Sequence, residues 1–249
     1  MRVAAIYDIH GNLPALEAVL EEIHAIGVDQ IVVGGDVLPG PMPCEALARL
    51  QQLSVPVDFI QGNGEVAALA ELAGRNSGVP EQFRDLVRWS GEQLDHEQRR
   101  LIAAWPKTFR LQIPNLGDVL FCHATPRNEN EVFTKLTPEA KLLPIFAGID
   151  ASIVVCGHTH MQFDRNVGNV RVVNSGSVGM PFGQPGAYWL LLDHDIHLRR
   201  TSYNFEQAAQ RIRESAYPQA QDFAQNNILH PPSESKMLDL FSRAELDPA

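Results

Sequence analysis

Seven side chains of metal-ligating type fall in five short segments: Asp8-Ile9-His10, Gly35-Asp36, Gly62-Asn63, Cys122-His123 and Gly157-His158-Thr159-His160. Carboxylate, imidazole and amide oxygen without thiolate suit Mn, Fe, Zn, Co or Ni in five- or six-coordinate sites better than a closed structural zinc site. Asp8 and His10 are two residues apart, as are His158 and His160, so in extended backbone each pair points one way. Any one of these short patterns arises often by chance; five in order along one chain form a stronger signal. Glycines flank the segments, where tight turns must bring backbone close to whatever is bound.

The elements that must position these residues follow from the hydrophobic pattern. Residues 2–7 read as a buried strand, and Asn12 as the N-cap of a helix carrying Leu13, Leu16, Val19, Leu20 and Ile23 at helical spacing, closed by Gly27. Further strands are expected at 30–33 and 57–60, with a helix at 44–53 between them. Each strand runs straight into one of the polar segments. In open α/β sheets, sites form outside the carboxyl ends of strands, so the segments can converge. From 65 to about 107 the pattern turns helical and polar, with a capping box at Asp95 and Gln98, and reads as a helical insertion beside the core. Strands are expected to end near Cys122 and Cys156 and to cover 170–173, 188–192 and 196–199. This half is expected to supply a second sheet. A helical tail begins at about 204, broken by Pro231-Pro232. The alternation of strands and helices favours a layered α/β architecture.

The chain has 249 residues, 45% apolar and 20% charged, enough for one substantial domain. Its net charge of −10 gives no general help in binding long nucleic acids, so any phosphate would need local positive charge, which bound metal ions supply. No run resembles a membrane span and the first residues are too short an apolar stretch for a signal peptide, so a cytoplasmic location is expected. Cys44, Cys122 and Cys156 are too few and too scattered for a disulfide framework, and the latter two read as buried packing residues.

The order Asp-x-His-Gly-Asn, Gly-Gly-Asp, Gly-Asn, a lone His and Gly-His-Thr-His resembles the calcineurin-like metallophosphoesterases, in particular their small prokaryotic predicted phosphodiesterase branch. Asn174-Ser175-Gly176-Ser177-Val178-Gly179 is similar to that branch's Asn-Pro-Gly-Ser-Val-Gly turn, and the resemblance runs from Arg2 to about Asp193. It implies a four-layer α-β-β-α sandwich of two mixed sheets, here one domain over 1–249 with the insertion and tail. It also implies two divalent transition-metal ions (Mn²⁺, Fe²⁺/Fe³⁺, Zn²⁺, Co²⁺ or Ni²⁺). By matching position, Asp8, His10, Asp36 and His160 would hold the first, and Asp36, Asn63, His123 and His158 the second, with Asp36 shared. Asp36, Asn63 and His123 would thereby sit at the reaction centre, where a metal-bridging hydroxide attacks a small phosphodiester or phosphomonoester. Asn12 resembles a position near the site in relatives, although N-capping alone would account for it. Arg127, four residues after His123, is a candidate phosphate contact or an ordinary surface arginine. Self-association is left open.

One departure stands out. Many relatives read Gly-Asn-His-Asp/Glu, whereas here the residues are Gly62-Asn63-Gly64-Glu65, so an imidazole that assists the leaving group is missing. Good leaving groups are then favoured, and Gly64→His is expected to raise activity on poor ones. Glu65 is either a support for the ligands or the acidic start of a helix. Alternative readings are a protein phosphatase or dinucleoside polyphosphate hydrolase, and a non-catalytic scaffold of the kind the fold forms in the retromer complex. His24, His96, His194, His197 and His230 match no ligand position. Phe83, Trp89 and Trp105 either pack the insertion or wall a pocket.

Overall fold

The N-terminal apolar runs form β1 (Val3–Ile6), β2 (Gln30–Val33) and β3 (Val57–Phe59), mutually parallel in that order, in a computed structural model that describes residues 1–244 and Leu246. Between them lie α1 (Leu13–Ile26) and α2 (Pro43–Gln51). Asn12 caps α1 by accepting from the Ala15 N–H, and Gly27 ends it in the left-handed conformation at φ 73°. Three helices follow β3: α3 (Asn63–Leu72), α4 (Glu81–Gln93) and α5 (His96–Ala103). The last opens on the Asp95–Gln98 capping box.

The remainder comprises β4 (Thr108–Ile113), β5 (Gly117–Cys122), α6 (Glu139–Phe146), β6 (Ile153–Cys156), β7 (Phe163–Val167), β8 (Val170–Asn174), β9 (Ala187–Leu192) and β10 (Ile196–Thr201). The tail holds α7 (Phe205–Arg213), α8 (Ala220–Phe223), a π-helical segment (Ala224–Leu229) and α9 (Glu234–Phe241).

Two mixed five-stranded sheets result, ordered β10-β9-β1-β2-β3 and β4-β5-β6-β8-β7. The later half supplies the second sheet, as expected, and also two strands of the first. β9 returns to pair antiparallel with β1, and β10 extends that edge, so the open side of the first sheet is built from the far end of the chain.

Alternation along the central strands accounts for the layering. Val3, Ala5 and Tyr7 face Val119, Phe121 and Val155 between the sheets, while Ala4 and Ile6 pack with α1 and α2 on the outer face. On the far side Leu120, Cys122, Val154 and Cys156 pack with Leu142, Ile145 and Phe146 of α6. The order helix, sheet, sheet, helix is the expected sandwich. Cys122 and Cys156 are buried packing residues whose thiols burial pushes up, and all three cysteines are free. Trp105 stacks on Phe59 at 4.7 Å, Trp89 meets Tyr217 of the tail edge-on at 5.3 Å, and Phe83 is exposed. Among the described residues, no helix is long and apolar enough to cross a membrane.

Candidate metal centre

All seven residues leave the carboxyl ends of strands that run parallel to one another within each sheet. Asp8 and His10 follow β1, Asp36 follows β2, and Asn63 opens α3 after β3; His123 follows β5, and His158 and His160 follow β6. The loops are sewn together through backbone. The Asp8 and His10 N–H groups donate to the Gly35 and Asp36 carbonyls at 3.1 and 2.8 Å, and the Gly157 N–H donates to the His123 carbonyl at 2.8 Å. The Ser177 hydroxyl and Gly179 N–H both donate to the Asp8 carbonyl, which gives the Asn174–Gly179 turn a role in fixing Asp8.

The backbone there is not extended. Asp8, His10, Asp36, His158 and His160 all adopt left-handed φ, between 48° and 67°. Such conformations cost non-glycine residues on the order of 1–3 kcal/mol each and gather at functional sites. Thus each Asp-x-His or His-x-His pair converges through strained turns rather than through strand alternation.

Three imidazoles are held alike. The Nδ1–H of His10 donates to the Pro39 carbonyl at 3.1 Å, that of His123 to the Gly34 carbonyl at 2.9 Å, and that of His160 to the Met180 carbonyl at 2.7 Å. A carbonyl only accepts, so each ring carries its proton on Nδ1 and turns the Nε2 lone pair inward. Two contacts between acceptors follow: His10 Nε2 lies 3.2 Å from His160 Nε2, and His123 Nε2 lies 2.9 Å from Asn63 Oδ1. Asp8 Oδ1 is buried with no hydrogen-bond partner, 3.4 Å from His160 Nε2 and 3.9 Å from His123 Nε2. Asp36 Oδ2 is 3.7 Å from His10 Nε2, and its Oδ1 is 3.6 Å from His123 Nε2.

The electrostatics agree. Burial, aided by the neighbouring imidazoles, pushes His10 and His158 down to about 3, so both are neutral at pH 7. Burial and the charge of Asp8 drive Asp36 well up. Burial works to raise the Asp8 carboxyl, but the pull of the adjacent imidazole rings, His160 foremost, prevails and holds it low. Facing lone pairs, an unpartnered carboxylate oxygen and two carboxylates that repel one another form a donor set suited to divalent cations.

Residues 1–196 match the calcineurin-like phosphoesterase superfamily domain. The chain belongs to this superfamily. It is 27% identical over 238 residues to protein MJ0912 of Methanocaldococcus jannaschii, an alignment covering 87% of the chain and 94% of that protein. It is 26% identical over 206 residues to the phosphodiesterase YfcE of Escherichia coli, covering 79% and 89% respectively. A metallophosphoesterase structure from Sphaerobacter thermophilus superposes with a TM-score of 0.71 at 24% identity, over 92% of this chain and 99% of that one.

Within the superfamily pattern, the departure at Gly64 has a steric cause. A Cβ there would lie 2.2 Å from the Leu38 carbonyl oxygen and 2.9 Å from Asp36 Oδ1, to which the Gly64 N–H donates at 2.7 Å. Gly64→His therefore requires the loop to move before an imidazole could act on a leaving group there. Glu65 proves to be a support: it is wholly buried and accepts from the N–H groups of Asp36, Leu38 and Gly62 at 2.9, 3.2 and 2.7 Å. Burial and the Asp36 charge raise it to about 7 against the pull of those three donors.

Asn12 stands behind the loops. It is completely buried, with Oδ1 capping α1 and Nδ2 donating to the Gly179 carbonyl, so it supports the loops from behind. Arg127 is exposed, lines a small cleft with His123, and holds Glu131 through two nitrogens at 2.8 and 2.6 Å. His194 and His197 sit at the β9–β10 turn on Asp193, away from the centre. Phe182, which the sequence did not flag, stacks on His160 at 5.1 Å and touches Phe241 of α9. The Asn174–Gly179 motif just before it was the available signal.

Proposed function

We propose that the protein is a dinuclear-metal phosphoesterase acting on small phosphodiesters in the cytoplasm, with Asp8, His10, Asp36, Asn63, His123, His158 and His160 as ligands and Asp36 shared between the ions. The observation that carries this reading is the pair of acceptor–acceptor contacts, His10–His160 and Asn63–His123, set around the unpartnered Asp8 oxygen. When bound, such ions supply Lewis acidity at phosphorus and bring the pKa of water towards neutrality. The chain's own residues prepare the place. Three backbone carbonyls fix the imidazole tautomers, burial keeps His10 and His158 uncharged, and Glu65 locks the turn that carries Asp36 onto the start of α3. With glycine at position 64, no imidazole stands ready there to protonate a departing alkoxide, which favours acidic leaving groups. The similarity to a phosphodiesterase supports diester over monoester chemistry. A scaffold would have no need of seven converging ligands held in strained turns.

The test is hydrolysis of bis-p-nitrophenyl phosphate against p-nitrophenyl phosphate by protein stripped of metal and reloaded with Mn²⁺, alongside Asp36→Asn. Metal-dependent turnover that is faster on the diester and lost in the variant is expected. Full metal content in Asp36→Asn would refute the shared-ligand assignment, and no turnover of either ester by metal-loaded protein would refute the activity.

A further inference from the structure

Beside the seven residues lies a slot of about 350 Å³ that shares only His10 with them. Its floor is His10, Pro39 and Met180. Pro39 and Met180 supply the carbonyls that orient His10 and His160, so the slot opens directly onto the ligands. One wall is α4, through Phe83, Leu86 and Val87; the other is the tail, through Tyr217 and Phe223. The insertion and the tail, which contribute none of the seven ligands, together build this space. Packing of Trp89 against Tyr217 holds the walls to one another. The outer end is polar: Gln219, Asp222, Asn226 and Asn227 line it, the last two on the π-helical segment.

The chemistry of the lining selects its occupant. Among the described residues no lysine or arginine lines the slot and Asp222 does, so a second phosphate is disfavoured and the occupant is uncharged. Apolar and aromatic walls suit a flat group. Three amides and a carboxylate offer both donors and acceptors, which match the N–H and C=O edges of a heterocycle and give a hydrocarbon chain nothing. We propose that this slot binds the base of a nucleoside phosphodiester, so that the substrate is a small nucleotide ester with its phosphate at the metal centre and its base between α4 and the tail. This rests on the phosphoesterase reading for the phosphate, while the slot itself is testable without it.

Two measurements separate the proposals. In the first, metal-free protein is mixed with adenosine, guanosine, cytidine and uridine, which carry no phosphate, and with glycerol as control, and saturation transfer is recorded by NMR. Transfer to base protons is expected, reduced in Phe83→Ala, where the ring removed is exposed, and abolished in Leu86→Trp, which fills the slot. No transfer to any nucleoside, or transfer unchanged in both variants, overturns the base slot whatever the enzyme's activity. In the second, Mn²⁺-loaded enzyme is given thymidine 5′-(p-nitrophenyl) phosphate and methyl p-nitrophenyl phosphate, which release the same phenolate. The expected kcat/KM ratio favours the nucleoside ester by about tenfold, the equivalent of one base–aromatic stack, and falls towards unity in Phe83→Ala. A ratio near one in the unaltered enzyme overturns the slot's role in specificity. Failure to turn over either ester counts against the hydrolase reading and leaves the nucleoside titration to decide the slot.

Discussion

The Nε2 atoms of His10, His123 and His160 face inward because three backbone carbonyls hold their opposite nitrogens, and no sequence pattern announces a carbonyl partner. The order and identity of the seven residues were legible; the left-handed backbone of five of them was not, since spacing alone suggested extended chain. That strain is measurable. At position 158, with φ 67°, glycine is free of the Cβ penalty that alanine bears. Metal-free His158→Gly should therefore exceed His158→Ala in stability by about 1 kcal/mol by urea titration, and equal midpoints would contradict the strain. Glu65 provides a second test. Glu65→Ala leaves three buried N–H groups without an acceptor, for an expected loss of about 3 kcal/mol or more together with weaker Mn²⁺ binding. A variant as stable as the parent would show that water or relaxation takes over the latch.

Helix caps were read correctly at Asn12 and at Asp95–Gln98, because short polar side chains at helix starts have a distinctive pattern. β4, β7 and α6 were not anticipated. The first two are edge strands with many half-exposed polar residues, and α6 is short with Pro144 inside it. The return of β9 and β10 to the first sheet was hidden too, since pairing partners are set by which edge is free. That edge is tied to α1 by Glu22, which accepts from the Thr201 hydroxyl at 2.6 Å and pairs with Arg199. Burial works to raise the Glu22 carboxyl, but the Thr201 and Arg199 hydrogen bonds prevail and leave it below its ordinary range. A lowered carboxylate stabilises the fold above its unfolded pKa, and the contribution fades as pH falls through the folded value. Glu22→Gln should thus be less stable than the parent at neutral pH, with the gap closing in acid when denaturant midpoints are compared. A gap independent of pH would assign the difference to packing.

At the scale of the molecule, an acidic chain of net charge −10 concentrates imidazoles and two carboxylates where both sheets end. Metal should stabilise the whole fold, because the centre is incomplete in the unfolded chain. Mn²⁺ at a hundredfold excess over its Kd is expected to add about 2.7 kcal/mol to unfolding, and an unchanged thermal midpoint would argue against binding at the assigned residues. The proposed ligands are divided between the sheets: Asp8, His10, Asp36 and Asn63 come from the first, and His123, His158 and His160 from the second. The first sheet is itself finished only by β9 and β10. During synthesis from the N-terminus, the early ligands therefore emerge long before their partners, and no complete cage exists until nearly the whole chain has left the ribosome. On the proposed assignment, tight metal capture would be a late event that reports the docking of both halves, and a truncated chain is expected to stay metal-poor.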